Sequence, residues 1–190
     1  MKRAASILGL ALLMAGCVTP TLIEAKRTSI GGTYTVEPQV RWTSFPAGDM
    51  TELWTVDGAG LEAIRFVKGA GDGAIVLQGM IAGVPAEKRP KFRVSMSPSE
   101  IMELVVDSYS LIGAQKIETT GLRPVKFGAA DGFRFEMTFV WKNGLEAQAL
   151  VAGAVVKNRL YLIVYSGTRV HYFPKHKDDV ERILSSIQLQ

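Results

Sequence analysis

Few residues in this chain have the types and spacing that catalysis or metal binding requires. The 190 residues include two histidines, His171 and His176, and a single cysteine, Cys17. Asp178 and Asp179 follow the histidines closely, and imidazole nitrogens and carboxylate oxygens are common ligands of transition metals. The histidines stand five residues apart at the expected start of a helix, which puts their rings on different sides, and the chain has no third histidine. The sequence therefore predicts no metal site, and a solvated turn around both histidines.

Other catalytic and phosphate-binding patterns are missing from the sequence. The glycine-rich run 68–73 lacks the Lys-Ser/Thr of a phosphate loop, and we expect it to be a hairpin tip between strands at Leu61–Val67 and Ala74–Leu77. The chain contains no G-x-S-x-G motif. Arg134 and Glu136 share one strand face, where a surface ion pair is expected rather than an acid–base couple. These observations predict a protein that is not an enzyme and needs no cofactor, with a hydrolase as the distant alternative.

Four aromatic residues before position 55 are candidates for a ligand-binding or partner-binding surface: Tyr34, Trp42, Phe45 and Trp54. Together with the irregular, proline-containing segment 79–91, they could line a groove for a hydrophobic molecule. Aromatic side chains on strands are also frequent core residues, and the sequence leaves this alternative open.

The first 17 residues predict where the protein is located. Two basic residues precede an apolar run, 4–15, which is shorter than the ~20 residues of a membrane-spanning helix, and this order is typical of a secretion signal. The last five residues, LMAGC, resemble the bacterial lipobox, in which small residues precede an invariant cysteine. Met14 stands where the lipobox usually has leucine. The resemblance implies cleavage between Gly16 and Cys17, a thioether-linked diacyl group on Cys17, and acylation of the new amino terminus.

Acyl chains on Cys17 would anchor the protein to a membrane, because each buried CH₂ contributes ~0.8 kcal/mol. Val18 follows, whereas Asp at this position is the usual inner-membrane retention signal of Gram-negative lipoproteins. For a Gram-negative source, the resemblance therefore implies the inner leaflet of the outer membrane, with the domain facing the periplasm. The alternative is an ordinary cleaved signal peptide.

The sequence predicts three segments: a signal peptide over 1–16, the acylated Cys17 with a flexible tether over 17–32, and a single domain over 33–190. An ordered first strand around Thr21–Ala25 is the alternative to the tether. Without the signal peptide the chain has 20 basic and 18 acidic residues, and no basic stripe with interleaved aromatics. A nucleic-acid partner is therefore not expected.

Two helices are indicated by their caps and apolar stripes. Ser97, Pro98 and Glu100 predict a helix that begins with a capping box, and Gly113 predicts its end. The second predicted helix covers Phe173–Ile187, where apolar residues recur at positions 180, 183, 184 and 187.

A long antiparallel meander lies between the helices. Odd-numbered positions are apolar in Phe133–Trp141 and again from Leu145 to Val155, which is the period of strands with one buried face. These faces agree only if Lys142-Asn143-Gly144 forms a three-residue loop with Gly144 at positive φ. The next strand, Leu160–Tyr165, is apolar on both sides and must be covered on both faces. The predicted fold class is thus α+β, one antiparallel sheet flanked by two helices.

This order of elements, closing with Phe173, the apolar stripe and Ser186-Ile187, resembles the PsbP-like α/β/α sandwich. Bacterial members of that group include small periplasmic lipoproteins of the DcrB type. The resemblance implies a non-catalytic accessory or binding domain and supplies no catalytic residues. We therefore expect an envelope lipoprotein that binds or helps to assemble envelope partners, with a carrier of lipid or another small hydrophobic ligand as the alternative. A deep apolar cavity would favour the carrier, and a filled core with an exposed apolar patch would favour the assembly module.

Overall fold

The computed structural model describes residues 19–190, so Cys17 and the predicted signal peptide lie outside the described residues. The elements follow in the order β1 (Thr21–Ile23), β2 (Thr28–Ile30), β3 (Tyr34–Val36), β4 (Trp42–Pro46), β5 (Thr51–Thr55), β6 (Glu62–Ala70), α1 (Pro98–Leu111), β7 (Ala114–Phe127), β8 (Ala130–Trp141), β9 (Glu146–Val156), β10 (Arg159–Thr168), α2 (Tyr172–Ser185) and β11 (Gln188–Leu189). Eight strands form one sheet in the order β1-β4-β5-β6-β10-β9-β8-β7, and β11-β3-β2 form a small second sheet. All of these pairings are antiparallel.

The meander has the predicted register. Phe139 pairs with Ala147, and the Trp141 amide donates to the Leu145 carbonyl at 2.9 Å, so the loop contains three residues. Gly144 has φ +84°, as that loop requires. The following turn contains only Lys157 and Asn158, both at positive φ, which matches the right-handed twist of the paired strands.

The main sheet is covered by one helix on each face. The layer beneath α1 contains Phe133, Phe135, Met137, Phe139, Val151, Leu160, Leu162 and Val164, together with Ile101, Leu104 and Val105 of the helix. The layer beneath α2 contains Ile64, Phe66, Leu150, Ala152, Ile163 and Tyr165, together with Val180 and Ile183 of the helix. The α+β class and the two-faced packing of β10 are therefore confirmed.

Helix α1 begins with the predicted capping box. The Glu100 amide donates to Ser97 Oγ, and Glu100 Oε2 accepts from the Ser97 amide at 2.7 Å. This reciprocal pair satisfies two of the amides that a helix start leaves without partners. At the other end Gly113 has φ +98°, a conformation that disfavours side chains with a β-carbon.

The prediction of a flexible tether over 17–32 is wrong for residues 21–30. Strand β1 pairs with β4 at the edge of the main sheet, and β2 pairs with β3. Ile30 is completely buried beside Trp42 and Trp54 in the α2-side layer. Arg27 donates to the Ser186 carbonyl at 3.1 Å and to Glu37 at 2.9 Å. The alternative, an ordered strand near Thr21–Ala25, is the arrangement in the structure.

Three smaller predictions are also corrected. Strand β6 continues to Ala70, and residues 74–77 lie in a loop that turns from residue 76 rather than in a strand, because β6 already has β5 and β10 as neighbours. Val76 and Leu77 are apolar because they are buried in the layer beneath α1. Helix α2 ends at Ser185, two residues before the predicted Ile187, which remains buried as the chain turns into β11.

Gly144→Val should destabilise the domain by about 1 kcal/mol or more, because a β-branched residue is poorly tolerated at this φ. Gly144→Asn should be much milder. A β-carbon added at Gly144 would have no atom within 4 Å, so crowding is not the cause. Urea unfolding of fragment 19–190 measures both variants. Gly71→Val is the control, since Gly71 also has open space but lacks positive φ; equal effects at the two positions would contradict the assigned loop.

Ile30→Ala should lower the free energy of unfolding by about 2–5 kcal/mol, because it empties a buried site. Leu22→Ala is the matched control in the same segment, since Leu22 is 57% exposed, and it should change stability by less than about 0.5 kcal/mol. Chemical denaturation of fragment 19–190 measures both. If both variants were as stable as the parent fragment, residues 21–30 would behave as a tether after all.

Candidate functional site

The four aromatic residues predicted as a possible binding surface do not form one. Tyr34, Trp42 and Trp54 have no exposed area and belong to the α2-side layer, while Phe45 is half-buried on β4. The Tyr34 hydroxyl has no hydrogen-bond partner, and burial raises its pKa well above the ordinary value. Tyr34, Trp42 and Trp54 are therefore core residues, which is the alternative that the sequence left open.

The indole groups bind acids at the ends of the core. Trp42 Nε1 donates to Asp179 Oδ2 at 2.8 Å, and Asp179 Oδ1 accepts from the Gln39 amide at 2.6 Å. Trp54 Nε1 donates to Glu52 Oε1 at 2.6 Å. From the sequence, Asp179 was considered only as a possible metal ligand. In the structure its two hydrogen bonds connect α2 to the segment that leads into β4.

An open depression lies where the carrier hypothesis expects a ligand. It has a volume of about 350 Å³, and Gly79 and Met80 of the irregular segment line it, with Pro46, Ala47, Gly48, Thr51, Leu53, Arg65 and Leu77. None of the four predicted aromatic residues is among its lining. A second depression of about 320 Å³ adjoins it and is lined by Thr19, Thr21 and Lys68 among others.

The loop between β5 and β6, the first residue of β6 and the N-terminal half of α2 bring together Asp57, Glu62 and His176. One carboxylate oxygen of each acid and one ring nitrogen of His176 lie within 4.8 Å of one another. Within residues 19–190 this is the one group of three or more His, Cys, Asp or Glu side chains so arranged. His171 is exposed and does not belong to it.

Glu62 organises the loop that carries Asp57. Its side chain is almost fully buried, and Oε1 accepts from Thr55 Oγ1, the Val56 amide and the Asp57 amide at 2.7, 2.6 and 2.9 Å. Its other oxygen, Oε2, is buried and has no hydrogen-bond partner among residues 19–190. The three donors fix the position of Asp57, so a strand-start glutamate determines the shape of the whole turn.

Two basic side chains of α2 approach Asp57. His176 Nε2 lies 2.6 Å from Oδ2, and Lys175 Nζ lies 2.8 Å from both carboxylate oxygens. Hydrogen bonds from His176 and then Lys175 lower the pKa of the Asp57 carboxyl. Since His176 is only 8% exposed and packs near the Trp42 ring, the prediction of a solvated turn is wrong for this residue.

Tyr165 fixes the start of α2 above this cluster. Its hydroxyl lies 2.9 Å from the carbonyl oxygens of Tyr172 and Phe173, to which it can donate. Burial raises the pKa of this phenol, and the nearby charges of Glu62 and Asp57 raise it further. The hydroxyl therefore stays protonated and holds the turn that presents His176.

Sequence reasoning missed Asp57 and Glu62, although one signal was present. Period two places Glu62 on the same strand face as Ile64 and Phe66, which are completely buried. An acid on the buried face of a strand needs partners, and this is a reason to examine its neighbours.

The predicted surface pair of Arg134 and Glu136 is a minor contact, with a closest separation of 3.8 Å. Arg134 instead makes a two-pronged ion pair with Glu181 of α2, at 3.0 and 2.7 Å. These bonds raise the pKa of the Arg134 guanidinium, foremost through Glu181. The pair links α2 to β8 and has a structural function.

Comparison with solved structures supports the fold. Cyanobacterial PsbP (CyanoP) from Synechocystis sp. PCC 6803 has a TM-score of 0.55 and 11% identity, over 93% of this chain and 96% of that one. A crystal structure from Bacteroides thetaiotaomicron VPI-5482 has a TM-score of 0.51 and 11% identity over 88% of this chain, which spans about half (49%) of that protein. No family model and no curated protein matches the sequence. The architecture is thus PsbP-like, and identity this low shows the fold alone.

Asp179→Asn should destabilise the domain by about 1.5–3 kcal/mol, because either the Gln39 amide or the Trp42 indole would then face an NH₂ group. Asp178→Asn is the matched control, since it removes the same charge from an exposed neighbour on the same turn, and it should cost less than about 0.5 kcal/mol. If both variants lost the same free energy of unfolding in urea, the stabilisation would come from the negative charge near the helix start rather than from the buried hydrogen bonds of Asp179.

Proposed function

We propose that this protein is an envelope lipoprotein, anchored by acyl chains on Cys17, whose domain is a non-catalytic module that binds or helps to assemble envelope partners. The observation that carries the anchor is the lipobox-like LMAGC over residues 13–17, and the position of β1 determines how closely that anchor would hold the domain. Strand β1 begins at Thr21, four residues after Cys17, and is already paired with β4 in the main sheet. A chain lipidated at Cys17 therefore has almost no tether.

The short connection limits how far the domain can lie from the membrane. Four residues extend at most ~14 Å, whereas the fifteen residues of the tether expected from the sequence would extend ~50 Å. Because β1 is antiparallel to β4, the chain approaches Thr21 from the side of Pro46 and the turn between β4 and β5. That end of the sheet faces the headgroups in our proposal, so partners bind at the membrane surface or from the opposite, periplasmic side.

The packing favours an assembly module over a carrier. Both faces of the sheet are filled by contiguous layers of buried side chains beneath α1 and α2. None of the helices formed by residues 19–190 is long and apolar enough to cross a membrane. The two adjoining depressions near Thr19 and Gly48 favour the carrier as the second candidate, because they lie at the membrane-proximal end and could take one acyl chain.

The residue after Cys17 supports a location in the inner leaflet of the outer membrane, if the source is Gram-negative. Val18 is not the aspartate that retains lipoproteins in the inner membrane. The formal charge of the chain, +4, gives no separate reason to expect a nucleic-acid partner.

Cys17→Ser should abolish incorporation of a clickable fatty acid and release the protein from the membrane fraction, because no other acyl acceptor is expected. Val18→Asp is the matched control, and it should keep the label while moving the protein to the inner-membrane fraction. Equal labelling of Cys17→Ser and the parent chain would refute the anchor.

Crosslinking in intact envelopes, followed by mass spectrometry of proteins and lipids, separates the two candidate functions. If the domain is an assembly module, we expect crosslinks to discrete proteins, and Cys17→Ser, which removes the anchor, should abolish them. The carrier predicts about one lipid per chain after detergent exchange, and this lipid should be lost when the depression is filled by Leu53→Trp. Leu53 is half-buried on β5, so circular dichroism checks that the variant still folds.

A further inference from the structure

One oxygen of the buried Glu62 carboxylate has neither a cation nor a hydrogen-bond donor beside it among residues 19–190. Oε1 already accepts three hydrogen bonds, while Oε2 is buried with none, and the residue is only 1% exposed. An ionised carboxylate away from water costs free energy unless a cation or further donors compensate it. A buried polar atom without a partner is therefore a reason to look for an ion.

Two groups close to this carboxylate are of types that can bind metal ions. Asp57 offers a second carboxylate and His176 a ring nitrogen, all within 4.8 Å of one another. Ligands around a bound ion stand about 3–4 Å apart, given metal–ligand distances of roughly 2.0–2.2 Å. The required adjustment of about 1 Å is within the reach of a rotation of Asp57, the least buried of the three.

We propose that Asp57, Glu62 and His176 bind one divalent transition-metal ion, and that Zn²⁺ fits the donor set best. Imidazole nitrogen and carboxylate oxygen are both zinc donors, and three protein ligands leave the fourth tetrahedral position to water. Imidazole favours zinc and its neighbours over Mg²⁺ and Ca²⁺, which prefer sites made entirely of oxygen ligands.

Lys175 pairs with Asp57 when no ion is bound. Its Nζ lies 2.8 Å from both oxygens of Asp57, on the solvent side of the cluster, and its side chain is 42% exposed. The lysine can withdraw into water along its flexible stem, so it competes with the ion without blocking access. At a metal site, removing the Lys175 charge should therefore tighten metal binding, whereas a purely structural ion-pair cluster would bind no metal with or without it.

The surroundings fix two of the three ligands in advance. The hydrogen bonds to Glu62 Oε1 hold the 55–57 backbone, and the Tyr165 hydroxyl holds the turn from which His176 projects. Preorganised outer partners of this kind raise the affinity of metal sites. The proposal does not depend on lipidation of Cys17.

Isothermal titration of the chelator-treated full chain with ZnCl₂ tests the site, using protein without a histidine tag and with Cys17→Ser, so that no thiol competes. We expect one Zn²⁺ per chain and no saturable binding of Mg²⁺ or Ca²⁺. Glu62→Gln keeps the oxygen that accepts from the loop amides but replaces Oε2 with an amide nitrogen. Both Glu62→Gln and His176→Gln should weaken Zn²⁺ binding about tenfold or more. His171→Ala, the matched control, should bind like the parent.

Lys175→Met is the sharper variant, because it should bind Zn²⁺ several-fold more tightly by removing the competing cation. Circular dichroism checks that each variant folds, and Asp57→Asn replaces Glu62→Gln if the latter does not. Absence of stoichiometric Zn²⁺ binding would overturn the proposal. So would equal losses in His171→Ala and His176→Gln, or weaker binding by Lys175→Met.

Discussion

The fold depends on the two-sided burial of β10. Leu162 and Val164 point into the layer beneath α1, and Ile163 and Tyr165 point into the layer beneath α2, all with at most 1% exposure. A strand that is apolar on both sides cannot face water, so each face of the sheet needs a cover. Each fully buried aliphatic side chain contributes about 1.5–3 kcal/mol, and these contributions require α1 and α2 to dock on opposite faces.

Docking of α2 combines the apolar stripe that contains Val180 and Ile183 with polar contacts from the intervening turns of the helix. Arg134 on β8 binds Glu181, Trp42 on β4 binds Asp179, and the turn after β5 binds His176. Each contact joins α2 to a different strand, and apolar packing alone leaves a helix free to slide along a sheet. Because these bonds are partly or fully buried, they specify position more than they add stability.

The parts of the fold that sequence reasoning predicted are local. The capping box of α1 spans four residues, and the register of the meander follows from two short loops and a period-two pattern. The N-terminal strands and the candidate metal site depend instead on pairings across the chain. Asp57 and His176 are 119 residues apart, and Trp42 and Asp179 are 137 apart. No spacing rule connects such residues, so β1 with its three residues resembled a tether, and His176 resembled a surface histidine.

The direction of the strands relates the proposed anchor to the proposed metal site. Thr21 pairs with Ser44, and the chain reaches it from the turn between β4 and β5. Asp57 follows Thr55, which pairs with Thr43 at the other end of the same strands. Six residues at ~3.4 Å each separate Thr51 from Asp57, or ~20 Å. If the proposed lipid on Cys17 is present, it would hold the depressions near Thr19 against the bilayer and turn the cluster of Asp57, Glu62 and His176 away from it.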